Sequence, residues 1–239
     1  MMLDSIPEVL WALDRGSVRY LIVGGVAVNL HGYVRATRDL DLVIEPDPDN
    51  ATRAIHTLRD LGYRPQVPVA IEGLADPAKR QHWVEDKGME VCALTSDTHP
   101  DTTLDLFTAE PFDFEAEHAA AVIYEIAPEL RIPVVRPEAL ITMKRNVVGH
   151  RDLDDIEHLE RILTERKDQA DNNARGTDGD WSTATWAGSR RAQLRRALQR
   201  TPSERLEAMV SLSDMAEQLA SVPPVTDQQV RERSTRSAE

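Results

Sequence analysis

The chain has 239 residues but only one cysteine, Cys92. A single cysteine excludes an internal disulfide and any metal site built from a cluster of thiolates. Cys92 lies in a predicted strand, where a small core residue is the expected role. No apolar run approaches the roughly 20 residues that a membrane-spanning helix needs. The amino terminus has no basic and apolar signal region, so we expect a cytoplasmic protein with no membrane partner.

Aromatic residues are scarce, at 5% of the chain, whereas hydrophobic residues make up 41%. This composition is typical of a soluble protein with an aliphatic core. The formal net charge is −13. Uniform acidity would repel nucleic acid at long range, but the charge is not distributed uniformly along this chain.

Short apolar strands and amphipathic helices are mixed along the first two thirds of the chain rather than strictly alternating. This order predicts an α+β fold, in which a mixed β-sheet is flanked by helices. A polar stretch without large apolar residues then predicts a flexible linker. We therefore expect a main domain at residues 1–167, a linker at 168–186, a C-terminal α-helical appendage at 187–222 and a disordered tail at 223–239.

Arginines recur at helical spacing in the predicted appendage. Such a basic stripe can contact an RNA backbone, or it can pair with the acidic main domain. The sequence leaves both interpretations open. The arginines concerned are Arg190, Arg191, Arg195, Arg196 and Arg200.

Two acids interrupt a predicted buried strand in the segment "TRDLDLVIEP". Side chains two residues apart in a strand share a face, so Asp39 and Asp41 point the same way while Leu40 and Leu42 point into the core. Paired carboxylates repel each other unless a cation lies between them. Mg²⁺ suits this arrangement, because it is held by one or two carboxylates and completed by phosphates and water. The alternative is a strand whose polar face is simply solvated.

A second strand, "TTLDLFT", repeats the pattern with Asp105 between two leucines. If it lies beside the first strand, Asp105 joins Asp39 and Asp41 as a third metal ligand. Three such carboxylates can hold two metal ions about 3.5–4 Å apart. Asp105 can then also accept a proton from the attacking group. An amphipathic edge strand without function is the alternative for Asp105.

Two glycines, Gly24 and Gly25, stand where a strand turns into a helix. Without Cβ atoms, their backbone can approach an anion closely. The helix that follows presents unpaired N–H groups and a partial positive charge. The pair therefore predicts a cradle for a triphosphate opposite the acids.

The segment "GGVAVNLHGYVRATRDLDLVI" resembles the signature of the nucleotidyltransferase superfamily with the polymerase-β-like fold, and most resembles the AbiEii/MenT-type toxin branch. A later segment, "ITMKRNVVGHRDLDDIEHL", is similar to the second motif of that branch. The resemblance covers residues 1 to about 165. It implies transfer of a nucleotide from an NTP, with Mg²⁺, onto an acceptor. In the toxin branch the acceptor is RNA, typically the tRNA 3′ end, and a cognate antitoxin protein restrains the enzyme.

The resemblance also implies roles for individual residues. Lys144 matches the lysine that contacts the triphosphate, and a point charge suits a phosphate. Arg35 and Thr37 precede the acids, where a phosphate contact and local loop bonding are both open. Asp152 is either a helix cap or a site residue. Asp155 either touches substrate or anchors Lys144 or Arg151.

The sequence leaves two alternatives to an RNA-modifying toxin open. In the first, the chain is a catalytically silent relative that binds a nucleotide or a partner, in an antitoxin-like or regulatory role. In the second, it is an active transferase with a different acceptor. If it is active, its acceptor is RNA, a small molecule or a protein hydroxyl.

Overall fold

A computed structural model describes residues 2–146, 149–175 and 194–221. In this part of the chain a single mixed sheet is flanked by helices, which confirms the predicted α+β class. The strands are β1 (Tyr20–Ile22), β2 (Asp39–Ile44), β3 (Tyr63–Pro65), β4 (Val91–Ser96), β5 (Thr103–Phe107), β6 (Val122–Ala127) and β7 (Leu130–Val134). The helices are α1 (Met2–Arg15), α2 (Gly24–His31), α3 (Pro48–Asp60), α4 (Pro77–Lys87), α5 (Phe114–Ala119), α6 (Pro137–Asn146), α7 (His150–Arg175) and α8 (Pro202–Ser221), with a 3₁₀ helix at Ile71–Ala75.

The strand order across the sheet is β3-β4-β5-β2-β1-β7-β6. Strand β2 lies at the centre, antiparallel to β1 on one side and parallel to β5 on the other. The register of the parallel pair places Leu40 beside Leu104 and Leu42 beside Leu106. These four leucines are fully or almost fully buried, so they fix one face of β2 and β5 as the core face. The residues between them must face the other way.

Local capping residues set the beginnings of the helices. Asp76 accepts hydrogen bonds from the backbone N–H groups of Ala78 and Lys79 and starts α4. In α3 the cap is Asp47, whose carboxylate accepts from the N–H of Asn50. Pro48 follows at the first helical position, where its missing N–H is not needed.

Two segments differ from the sequence-based expectation. Residues 63–75, expected to be irregular, contain β3 and the 3₁₀ helix, which are too short to produce a periodic pattern. Helix α7 continues to Arg175, into the predicted linker at 168–186. Extending an existing helix needs no new nucleus, so polar residues continue it readily. The rest of that linker, and the predicted tail at 223–239, lie outside the described residues, and the domain boundaries stay a prediction.

The predicted C-terminal helix is present as α8, but it is part of the main core. Leu206, Met209 and Val210 are buried in the same hydrophobic cluster as the sheet. At its start, the Ser203 hydroxyl donates a 2.7 Å hydrogen bond to the carbonyl of Ile126 in β6. Apolar residues at helical spacing need a partner surface, and here α2 and β6 supply it.

Only part of the predicted basic stripe is described, since Arg190 and Arg191 lie outside it. In the described part, Arg195 pairs with Glu165 of α7, whose side chain is almost fully buried. This contact agrees with the interpretation that the stripe pairs with the acidic domain. None of the helices in the described ranges is both long enough and apolar enough to cross a lipid bilayer.

Two methionines of α8 provide a test of its place in the core. Met209 is completely buried, whereas Met215 is 52% exposed. We expect Met209→Ala to lower the free energy of unfolding by about 2–5 kcal/mol, because truncating a buried methionine leaves a cavity. Met215→Ala should change it by less than about 0.5 kcal/mol. Urea unfolding measures both, and equal small effects would mean that α8 is a detachable appendage.

Candidate functional site

The acids of β2 and β5 meet on the open face of the sheet. Asp41 and Asp105 are direct neighbours in the parallel register, and Asp39 lies beside Thr103. Neighbouring strands are about 4.8 Å apart, so the two central carboxylates are held side by side. The structure thus brings Asp105 next to the Asp39–Asp41 pair, which is the condition on which the sequence had joined it to the site.

The glycine pair lies directly against Asp41. Gly24 adopts a left-handed conformation with φ +61°, and a Cβ there would lie 1.9 Å from Oδ2 of Asp41. The N–H of Gly25 donates a 3.3 Å hydrogen bond to the same oxygen. A side chain on Gly25 would meet Oγ1 of Thr37 at 2.5 Å. The glycines therefore allow the beginning of α2 to approach the acids.

The acids strongly affect one another's protonation. Burial raises the pKa of Asp41 to about 7, and the negative charge of Asp105 acts in the same direction. The hydrogen bond from the Gly25 N–H acts in the opposite direction and lowers the pKa. Burial, followed by the charge of Asp39, also raises the pKa of Asp105. The group is therefore a set of partly dehydrated carboxylates that repel one another, which is a common feature of functional sites.

A metal ion has suitable donors here but no ready-made cage. Carboxylate oxygens are the hard ligands that Mg²⁺ prefers, and a cation would relieve the repulsion. Among the described residues, however, no group of three or more histidine, cysteine, aspartate or glutamate side chains is arranged to hold a metal ion. The acids alone would therefore bind a cation incompletely, and further ligands would have to come from substrate or water.

Two cations and two acids form a network next to the acid pair. Arg35 binds Asp155 with two hydrogen bonds, from Nε at 2.6 Å and Nη2 at 2.7 Å. Lys144 Nζ lies 2.7 Å from Oδ2 of Asp155 and 3.0 Å from Oδ1 of Asp152. Both cations also lie close enough to Asp41 to interact with its charge.

Asp155 is the centre of this network. Its side chain is completely buried. Burial acts to raise its pKa, but the hydrogen bonds from Arg35 and Lys144 outweigh burial and leave the pKa below its ordinary value. Asp155 is therefore placed to anchor Arg35 and Lys144, and a contact with a substrate stays a prediction.

Asp152 lies in the first turn of α7 rather than at its N-cap. Its Oδ2 accepts a 3.1 Å hydrogen bond from the N–H of Gly149, which is the bond that the acid of a capping box makes back to the residue at the helix start. Its Oδ1 accepts a hydrogen bond from Lys144, so the same carboxylate positions the lysine. Its role as a site residue stays a prediction.

The segment at 32–38, which we call the entry loop, leads from α2 into Asp39. It is bound to α7 by the Arg35–Asp155 pair and by Tyr33, whose hydroxyl donates to Asp154. The ring of Tyr33 also stacks on His158, with centroids 3.7 Å apart. Arg35 is thus placed as a loop anchor, while Thr37 faces the glycine turn.

A cavity of about 290 Å³ lies elsewhere, between α3, α4 and the carboxyl ends of β2 and β5. None of Asp39, Asp41 and Asp105 lines it. The acid site lies instead beside β4, on the face of β2 and β5 opposite the buried leucines. There the side chains of β4 and β5 alternate between buried and half-exposed positions.

The solved structures that are similar to this chain include two antibiotic-related proteins. Lincosamide antibiotic adenylyltransferase LnuA, bound to lincomycin, is 20% identical, with 65% of this chain and 94% of that chain covered at a TM-score of 0.42. Antibiotic-resistance factor ANT(2'')-Ia is 16% identical, with 73% and 97% covered at a TM-score of 0.41. Likenesses this remote carry no conclusion about fold or activity. No protein-family model and no curated protein matches the chain.

The sequence analysis did not predict a role for one residue near the site. Ser213 of α8 is buried and hydrogen-bonds to the backbone of Thr37. The sequence does contain an indication of this contact, because Ser213 follows Met209 and Val210 at helical spacing on the apolar face. A polar residue in such a place needs a buried partner.

Gly24 can be tested against a matched glycine. Gly88 has nearly the same conformation, with φ +59°, but no atom lies within 4 Å of a Cβ placed there. We expect Gly88→Ala to lower the free energy of unfolding by about 1–2 kcal/mol, the strain of a left-handed alanine. Gly24→Ala should cost distinctly more, because its methyl group also displaces Asp41. Chemical denaturation measures both, and equal losses would show that Gly24 and Asp41 are not in close contact.

The raised pKa of Asp41 predicts a pH-dependent stability. A folded-state pKa of about 7 exceeds the ordinary value of 3.8, so the folded state favours the protonated form. The stability that the protonated Asp41 contributes is fully present below about pH 4 and is lost as the pH rises through about 7. In EDTA at pH 8, we therefore expect Asp41→Asn to unfold at a higher temperature than the wild type.

The matched control is Asp101→Asn, which changes an exposed acid in a turn. It should leave the melting temperature unchanged over the same pH range. If Asp41→Asn melts at or below the wild-type temperature at pH 8, the carboxylate is not strained in the metal-free protein.

Proposed function

We propose that this protein is a nucleotidyltransferase that moves a nucleotide from an NTP to an acceptor hydroxyl. The observation that carries the proposal is the pairing of Asp41 with Asp105 beside the Gly24–Gly25 turn. Adjacent strained carboxylates facing a helix amino terminus suit a substrate that is a cation-bound polyphosphate.

The triphosphate would lie between the acids and the start of α2. Backbone N–H groups at a helix amino terminus bind phosphate oxygens, and the two glycines leave room for them. Lys144 has three N–H donors, and two of them are directed to Asp152 and Asp155. One donor is left for a phosphate oxygen.

In the proposed reaction, the acceptor oxygen attacks the α-phosphorus of the NTP and forms the new P–O bond. The bond between the α- and β-phosphates breaks, and pyrophosphate leaves with its electron pair. Asp105 takes the proton of the acceptor hydroxyl, and its raised pKa makes it a better base than an ordinary carboxylate. Asp39 and Asp41 would hold Mg²⁺, which neutralises the triphosphate charge when bound.

The acceptor is the finer part of the proposal. The resemblance to the toxin branch favours RNA, with a tRNA end as acceptor and an antitoxin as partner. The surface beside the acids favours a small molecule instead. On this face, β4 and β5 contribute only neutral half-exposed side chains besides Asp105: Val91, Ala93, Thr95, Thr103 and Phe107.

Beyond β4, this face also carries the cation Arg64 of β3, opposite Thr95. It is engaged by both carboxylate oxygens of Asp97, at 2.8 and 2.9 Å. RNA binding relies on lysines and arginines that neutralise phosphates. An acidic protein with this surface fits a small neutral or cationic hydroxyl compound better than an RNA backbone.

Incubation with each labelled NTP, Mg²⁺ and separate pools of RNA, protein and small metabolites tests the proposal. We expect label in one pool, with transfer lost to background in Asp41→Asn. Asp105→Asn should lower the rate by about 10²–10⁴-fold, the usual contribution of a general base. Asp101→Asn is the matched control and should transfer at the wild-type rate.

The same experiment distinguishes the alternatives. Label in RNA supports the toxin-like activity, and label in small metabolites or protein supports the other acceptors. Nucleotide binding that needs Mg²⁺ but transfers no label to any pool would identify a catalytically silent relative. Full activity in both Asp41→Asn and Asp105→Asn would exclude the acids from catalysis.

A further inference from the structure

The entry loop is also held by the C-terminal helix, α8. The hydroxyl of Ser213 lies 3.1 Å from the backbone nitrogen of Thr37 and 2.9 Å from its carbonyl oxygen. The Thr37 N–H donates to this hydroxyl. The hydroxyl hydrogen is in turn directed to the carbonyl of Thr37 or to that of Met209, 3.0 Å away. One side chain of α8 thus satisfies the backbone of a loop residue far away in the sequence.

The position of Ser213 is fixed by its helix. It is 2% exposed, and Met209 and Val210, one turn before it, belong to the hydrophobic core. Arg205, on the same helix, donates 2.8 Å to the carbonyl of Leu198 and also binds the carbonyl of Leu30 at the end of α2. The hydroxyl is therefore presented to the loop from a rigid support.

Thr37 touches both halves of the site. Its side chain fills the space next to Gly25, where an added Cβ would meet Oγ1 at 2.5 Å and the Thr37 Cβ at 2.9 Å. It also lies two residues before Asp39 on the same chain. A shift of the Thr37 backbone would therefore move the glycine turn against the acid strand.

The geometry points to Ser213 as a positioning residue for nucleotide transfer. By holding the Thr37 backbone, it fixes the separation between the Gly24–Gly25 turn, which would receive the triphosphate, and the acids of β2. This inference rests on the proposed function, and it makes α8 part of the nucleotide site although the helix contributes no acid to it.

A second tether lies further along α8 but differs in kind. Arg38 pairs with Glu217 at 2.6 Å, and both side chains are about half exposed. Surface ion pairs of this type contribute little, typically below about 1 kcal/mol. The buried hydroxyl of Ser213 is therefore the contact expected to determine the loop position.

The test compares two serines of α8. Ser213→Ala removes the tether, whereas Ser211→Ala removes an exposed hydroxyl that bonds only to the carbonyl of Glu207 in its own helix. We expect the Kd for Mg²⁺–NTP to rise about 3- to 10-fold in Ser213→Ala, the usual net value of one hydrogen bond. It should stay unchanged in Ser211→Ala. Calorimetric titration of the full chain with each Mg²⁺–NTP measures both.

Hydrogen exchange gives a readout that needs no activity. The Thr37 amide should lose protection in Ser213→Ala and keep it in Ser211→Ala. Ser213→Cys introduces a side chain of nearly the same volume as serine but with a weak hydrogen-bond donor, so it should behave like Ser213→Ala. It replaces Ser213→Ala in the experiment if that variant does not fold. A purely structural role would lower the melting temperature and the fraction of binding-competent protein, but it would leave the Kd of that fraction unchanged.

The outcomes separate this inference from the proposed function. If the wild type binds Mg²⁺–NTP and both Ser213 variants bind it equally well, Ser213 has no positioning role and only the inference is overturned. If the wild type neither binds nor transfers any nucleotide, the proposed function fails, and the role of Ser213 fails with it. A raised Kd together with lost protection at Thr37 supports the inference.

Discussion

The carboxylate of Asp41 lies against the backbone of Gly24 and Gly25, and the rest of the site depends on this contact. It requires a left-handed residue without a Cβ at the start of α2. It also requires a β2 register that turns Leu40 and Leu42 into the core. The contact removes water from a carboxylate that already has acidic neighbours, so it is unfavourable by itself. Such an unfavourable arrangement persists only where the surrounding fold imposes it.

In this protein, the buried leucines of β2 and β5 impose the unfavourable position of the Asp41 carboxylate. Because β2 and β5 are parallel and in register, burial of alternate leucines automatically places Asp41 beside Asp105 on the other face. The positive charges are organised by a different principle. Asp155, which is fully buried, holds Arg35 of the entry loop and Lys144 of α6 at once. One hidden carboxylate thus fixes the cations, while a hydrophobic register fixes the acids.

Both ends of the chain contribute to the same site. Helix α8 shares the core with α2 and reaches the entry loop through Ser213, although more than half of the sequence separates this serine from Thr37. The apolar face of α8 therefore packs in the same core as the sheet. The division into main domain and appendage, which the polar segment at 168–186 suggested, stays a prediction.

Local patterns in the sequence by themselves determined the class of the fold and half of the site. The alternation of leucine with Asp39 and Asp41 assigns those acids to one strand face, and the glycine pair marks the turn before α2, because both signals act over a few residues. Strand order and long-range pairing were decided only by the tertiary structure. The placement of β5 beside β2, the burial of Asp155 between Arg35 and Lys144, and the hydrogen bonds of Ser213 to Thr37 join residues that no local periodicity connects. Each depends on which surfaces pack together once the whole chain has folded.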